Sequence, residues 1–198
     1  MKTLTEIIAN YRDTQDENLL EGFKFKHNGE TEYGKIFDLN YWHRKDLVFT
    51  LYENYSLADK PLIKWLLNEE FKGYDAEADL PVYLTDLCAF MLYKLMEMED
   101  VYDLFRVKFG AGTDNQFFVD IELVLGIDSE QTKQFLLNNP KNKRLNKQII
   151  KTINWYESQP EHKLKDRETY INHFESKKIR WIKNDMEDTE SYSRNQLM

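Results

Sequence analysis

The sequence predicts an all-α protein, and three observations carry that prediction: where the prolines fall, how the apolar residues are spaced, and the lack of proline inside any periodic segment. Each of the four prolines follows a capping-type residue by one or two positions, in Asp59-Lys60-Pro61, Asp79-Leu80-Pro81, Asn139-Pro140 and Ser158-Gln159-Pro160. Proline suits the first turn of a helix, where its missing N–H removes a donor that would lack a partner. The residue directly before proline avoids helical geometry, so where the gap is two that residue can be the cap. Between these starts, apolar residues recur three and four apart, as on the buried face of a helix.

Ile7, Ile8 and Tyr11 mark a short first helix. Residues 23–37, FKFKHNGETEYGKIF, alternate and carry Asn28-Gly29, a pattern that fits either a small β-hairpin or a loop. Tyr41, Leu47, Val48, Leu51, Tyr52 and Tyr55 resume helical spacing. After Asp59 come Leu62, Ile63, Leu66, Leu67 and Phe71, with Gly73 as a stop. After Asp79 come Val82, Leu84, Leu87, Cys88, Met91, Leu92 and Leu95. Val101, Leu104, Phe105 and Lys108 make a shorter helix ending at Gly110. FFVDIELVLG, residues 117–126, fits a strand by alternation and a helix by Phe117, Phe118, Ile121, Val124 and Leu125; its neighbours, a cap before it and Gly126 after it, favour helix. Asp128 with Gln131 caps a helix that carries Phe135, Leu136 and Leu137. From Pro140 onward Leu145, Ile149, Ile150, Ile153 and Trp155 form the next. Ser158 with Glu161 fits a capping box that opens a last helix through Leu164, Tyr170, Ile171, Phe174, Trp181 and Ile182. The architecture expected is a set of antiparallel helical hairpins, packed as a short α-solenoid or an irregular bundle. Ala58-Asp59-Lys60-Pro61-Leu62 recurs as Ala78-Asp79-Leu80-Pro81-Val82, which fits successive helices that open alike. Residues 1–183 read as one helical domain and residues 184–198, NDMEDTESYSRNQLM, as a flexible tail without periodicity.

A chain of 198 residues suits one domain and can bury roughly 70% of its unfolded surface, so it needs no metal or disulfide to fold. Cys88 is the only cysteine and lies in the apolar run LCAFMLY, as a small core residue would. Asp86 and Lys94 close that run far short of a bilayer span. The N-terminus, MKTLTEIIANYR, meets Glu6 before an apolar signal region develops. A cytoplasmic protein with no membrane partner is expected. The formal charge of −8 is uneven: residues 1–58 carry −3, residues 59–130 carry −10 and residues 131–198 carry +5. The acidic middle argues against nucleic acid, whose phosphates need Lys and Arg, and suits a basic protein partner.

KFGAGTDNQFF, residues 108–118, is the stretch most like a phosphate loop. A P-loop needs a lysine after its last glycine, and none follows Gly112; a dinucleotide fingerprint needs a third glycine where Asn115 stands. The stretch reads instead as a helix corner, with Gly110 ending one helix in the left-handed conformation and Thr113 or Asp114 capping the next. Glu97-x-x-Asp100 and Asp100-x-x-Asp103 place paired carboxylates on one helical face, which raises a Mg²⁺ site. Glu69 and Glu70 would supply the second pair, although Gly73 stands where a full E-E-x-x-E motif has its third glutamate. The four histidines share no ligand spacing, and no serine lies in a nucleophile elbow. KKIRWIK, residues 177–183, sets Trp181 among cations, as a single-stranded nucleic-acid site would, and reads more simply as an amphipathic helix docking Ile179, Trp181 and Ile182 with its lysines in water.

The segments LTDLCAFMLYKLMEMED, VYDLFRVKFGAGTDN, QFFVDIELVLG and DSEQTKQFLLNN resemble a group of bacterial helical proteins that includes immunity partners of secreted toxins. The resemblance implies a small acidic binding protein and carries over no catalytic residue. The function expected is a non-enzymatic protein–protein interaction, with Glu97, Glu99, Asp100 and Asp103 as an acidic surface and Trp65 and Tyr102 as aromatic anchors. It would need no cofactor. The alternative is an all-α Mg²⁺-dependent nucleotide phosphohydrolase using Glu69, Glu70, Glu97, Asp100 and Asp103.

Overall fold

A computed structural model describes residues 2–110 and 112–196, without the side chains of 112, 113 and 193–196. Among the described residues there are helices and no strands, so the protein is all-α, a helical bundle. No described helix is long and apolar enough to cross a membrane. The chain divides into two compact units, residues 1–95 with 182–198, and residues 96–181.

In the first unit α1 (Leu4–Thr14) opens with a capping box in which Thr3 and Glu6 satisfy each other's backbone N–H. A 3₁₀ segment, Glu17–Phe23, leads to the loop at 24–40. The alternation at 23–37 does not become a hairpin. One antiparallel bridge, His27 to Asp38, is all that forms. Asn28 and Asp38 take the place of a ladder: Asn28 Oδ1 accepts from Phe37 N–H, its Nδ2 donates to Lys35 O, and Asp38 Oδ1 accepts from Lys26 N–H. Helix α2 (Tyr41–Tyr52) packs on α1 and on α4 (Tyr83–Lys94), while α3 (Lys60–Asp75) and α4 pair as the expected hairpin. Pro61 sits in the first turn of α3, as its spacing from Asp59 predicts. Asp59 and Asp79 look alike in sequence and differ in role. Asp59 is buried and takes a two-pronged bond from Arg12, at 2.6 and 2.9 Å, whereas Asp79 is exposed and donates its N–H to Ile36 O. Cys88 is fully buried in α4, and burial pushes its thiol well above the usual value, as befits a core residue.

The second unit holds α5 (Val101–Gly110), α6 (Gly112–Phe118), α7 (Glu122–Leu125), α8 (Ser129–Asn138), α9 (Lys143–Glu157) and α10 (Arg167–His173). Val101, Phe105, Val124, Leu136, Ile149 and Ile153 form its core. Each is worth about 1.5–3 kcal/mol when fully buried. Asp128 caps α8 by accepting from Gln131 N–H at 2.9 Å, as predicted. FFVDIELVLG is not one helix: α6 ends at Phe118, and α7 is a single turn stopped by Gly126 at φ 72°. Nor does Ser158 open a helix. Its hydroxyl donates to Trp155 O at the end of α9, and the next helix starts at Arg167 under an Asp166 cap. Lying after α9, Pro160 marks a stop.

After α10 the chain makes a π-helical turn, Phe174–Lys178, and continues as α11 (Ile179–Gln196). The segment expected to be a flexible tail is therefore helical through Gln196, and residues 197 and 198 lie outside the described part. The physical reason is three interactions within the first unit. Met186 is buried against Tyr41, Asp185 accepts from Tyr83, and Glu190 pairs with Lys45 at 2.6 Å. The sequence hides this because, among the described residues past Ile182, the one buried apolar side chain is a methionine among charges.

Candidate functional site

The KFGAGTDNQFF corner is a helix corner, built differently from the expected one. Gly110 ends α5 inside the helix and is not among the glycines with positive φ, and Asp114 lies within the first turn of α6. The Thr113 side chain is outside the described residues. What holds the corner is Lys108. Its side chain, on the buried face of α5, donates to Gln116 O at 2.5 Å and Val119 O at 2.6 Å. These are the carbonyls at the end of α6, which have no helical partner because the helix stops there. The buried Asn115 adds a bond from Nδ2 to Val107 O at 3.2 Å, tying α6 back to α5.

A second clamp grips the same corner. Lys178, at the end of the π turn, donates to Phe118 O at 2.9 Å and pairs with Asp120 at 2.6 Å. Tyr170 donates to the same Asp120 oxygen at 3.1 Å. A π turn adds a residue per turn and re-aims the side chains that follow it, a device that recurs at functional positions. Between the two clamps Phe117 is 85% exposed and Phe118 50% exposed. Buried lysine and asparagine side chains are costly unless bonded; here Lys108 bonds the backbone on either side of the exposed phenylalanines, and Asn115 ties their helix to Val107 O.

Of the acidic residues singled out at 97–103, Asp100 has a structural task. Asp100 is buried and accepts from Glu97 N–H at 2.8 Å, closing a capping box with Glu97 around the 3₁₀ turn Met98–Asp100. Glu97 and Glu99 stay exposed and Asp103 is half-buried. Tyr102 donates to Asn146 Oδ1 at 2.8 Å, accepts from Asn139 Nδ2 at 3.1 Å and packs on Phe135, so it anchors the α8–α9 turn from within. Trp65 is half-buried on α3 in the other unit.

Glu69 and Glu70 are both buried. Glu69 accepts from Phe25 N–H at 2.7 Å and pairs with Lys72 at 2.5 Å. Glu70 accepts from Arg44 Nε at 2.8 Å, and the same guanidinium contacts Asp38 at 2.5 Å and donates to Phe23 O. Asp38 Oδ2 meets Arg44 within ion-pair distance, outside hydrogen-bond angles. Burial would lower the Arg44 pKa, but Glu70 and Asp38 together hold it above the ordinary value. One guanidinium cannot offset two carboxylates, and burial pushes Glu70 up. Among the described residues no group of three or more His, Cys, Asp and Glu side chains is arranged to hold a metal ion.

Sequence reasoning missed Lys108, Asn115 and Lys178. Lys108 left a signal, since it occupies an apolar position in the series Val101, Leu104, Phe105 and Lys108. Asn115 and Lys178 left none, because their partners lie around a break that periodicity does not show. Compared with protein-family models, curated proteins and solved structures, the chain gives no match.

Proposed function

We propose that the protein acts by binding a partner protein at the Phe117–Phe118 corner. The observation behind this reading is the exposure of two adjacent phenylalanines on a backbone clamped by Lys108, Asn115 and Lys178. Exposed aromatic rings on a preorganised backbone lose little entropy on docking, and aromatic side chains dominate interface energies. Exposed Glu97 and Glu99 in the same unit favour a basic partner by raising its encounter rate. An immunity-type partner of a toxin domain, the class that the segments resemble, is the form we favour. The phosphohydrolase alternative asks Glu70 to leave Arg44 and Asp100 to leave its cap before either could meet Mg²⁺.

A double variant, Phe117→Ser with Phe118→Ser, tests the reading. The partner that co-purifies with the wild type from native cells should be lost from the variant, by about 100-fold in affinity, as two hot-spot rings imply. Circular dichroism should be unchanged and melting shifted only slightly, since Phe117 is 85% and Phe118 50% exposed. Undiminished capture of the same partner by a folded variant would reject the corner as the docking site.

A further inference from the structure

A separate face of the second unit carries the opposite chemistry. From Gln131 to Tyr156 there is no acidic residue, while Lys133, Lys141, Lys143, Arg144, Lys147 and Lys151 all fall there. Lys133 is paired with Glu130 and Glu157. Lys143, Arg144, Lys147 and Lys151 are exposed and lie along α9. Lys143, Lys147, Lys151 and Trp155 follow one another every four residues, so they share one face over about 18 Å of helix. Trp155 closes the series 53% exposed, its orientation fixed by edge contact with Tyr156 at 4.7 Å and by His162 at 5.9 Å. Asn154 and Gln148, both exposed, lie on the same face and add amide donors and acceptors. Beside the N-terminal half of α9 opens a cavity of about 360 Å³ with Leu136 and Ile150 in its lining and Asn138, Lys143 and Lys147 among its polar groups. That volume falls within the range of small-ligand sites.

We propose that this face binds single-stranded nucleic acid. The lysines would follow the phosphates, Trp155 would stack on a base, and the cavity would take a second, unstacked base against its apolar lining. Cations interleaved with an exposed aromatic ring are the features by which sequence-tolerant single-strand binders hold their ligand. A lipid surface fits less well, because Ile149 and Ile153 are fully buried in the core, Leu145 and Ile150 pack against it, and Trp155 is the one exposed apolar side chain that α9 could insert. An acidic peptide would use the lysines and leave Trp155 and the cavity without a role. The net charge of −8 does not oppose the proposal, since the cations are segregated from the acids along this helix.

Anisotropy of a fluorescein-labelled 20-nucleotide oligo(dT) and oligo(U), with the full chain, tests it. Binding should weaken about 20- to 50-fold between 50 and 200 mM salt, as expected for three or four neutralised phosphates on a single strand. Trp155→Ala should weaken it about 5-fold or more through lost stacking, and Lys143→Glu with Lys147→Glu and Lys151→Glu should abolish it. All four positions are exposed, so both variants should fold, which circular dichroism checks. Phosphatidylserine vesicles and polyglutamate serve as competing polyanions. The proposal is overturned if neither oligonucleotide binds, if vesicles or polyglutamate bind and the oligonucleotides do not, or if Trp155→Ala binds as tightly as wild type.

Discussion

The two units bury polar side chains for different ends. In the first unit the buried carboxylates Asp38, Glu70 and Asp59 meet cationic side chains: Arg44 with Asp38 and Glu70, and Arg12 with Asp59. They join segments far apart in sequence, so the irregular stretch 24–40 is held on α2 and α3 without a ladder of its own. In the second unit most of the buried polar side chains bond the backbone, although Glu122 also pairs with Lys165 and Asn146 with Tyr102. Lys108 and Asn115 fasten the α5–α6 corner, Asn146 donates to Leu136 O, Asn139 O and Lys141 O at the α8–α9 turn, and Thr132 donates to Leu125 O. Side chain-to-side chain pairs fix long-range assembly. Bonds to backbone fix local corners and leave neighbouring side chains on display, and the two faces proposed here for binding both belong to that second unit.

If the contrast is sound, removing one guanidinium should cost most. Arg44→Met leaves Asp38 and Glu70 buried without their cation, and uncompensated buried charge costs about 3–5 kcal/mol. Urea denaturation followed by circular dichroism measures it. A loss below about 1 kcal/mol would mean that the Asp38–Arg44–Glu70 network is not what holds the first unit. Lys108→Met should cost less, about 2–3 kcal/mol, because it removes charge-assisted bonds and leaves two carbonyls short of donors. Its signature should be local. Hydrogen exchange should speed up at 115–120 while the amides of α2 and α3 stay protected, and equal acceleration in both places would erase the distinction between the units.

Much of the fold was legible because helices announce themselves by period and by caps. Asp128 and Pro61 worked as read, and the apolar positions read for α3 are buried, as are Ile149 and Ile153 of α9, whereas Trp155, read with them, is 53% exposed. What escaped depends on contacts between distant residues. Gly110 and Gly126 both look like stops, yet only Gly126 takes positive φ, where an added Cβ would meet Thr132 Oγ1 at 2.5 Å. Six carboxylates of the acidic block, Asp59, Glu69, Glu70, Asp86, Asp100 and Glu122, are buried, so the net charge of residues 59–130 overstates the acidity of their surface. Sequence gives a charge count and no burial. The exposed phenylalanines were placed on the apolar face of a helix that the structure breaks at Val119, and the break turns them outward.

The smallest effect expected separates burial from pairing at Glu70. Burial raises its carboxyl above the ordinary value of 4.5, and Arg44, shared with Asp38, opposes that rise without cancelling it. A carboxyl raised on folding contributes stability that is full below its unfolded pKa and is lost as pH climbs through the folded one. Glu70→Gln keeps an oxygen to accept from Arg44 Nε and cannot ionise, so at neutral pH it should lie within about 1 kcal/mol of wild type. The stability of wild type minus that of the variant should therefore fall as pH rises from 4 to 8, measured by urea denaturation at each pH. Taking the difference removes the titration of every other carboxylate. A difference that grows with pH would show that the Arg44 pairing outweighs burial and that the first unit draws net stability from the ionised Glu70.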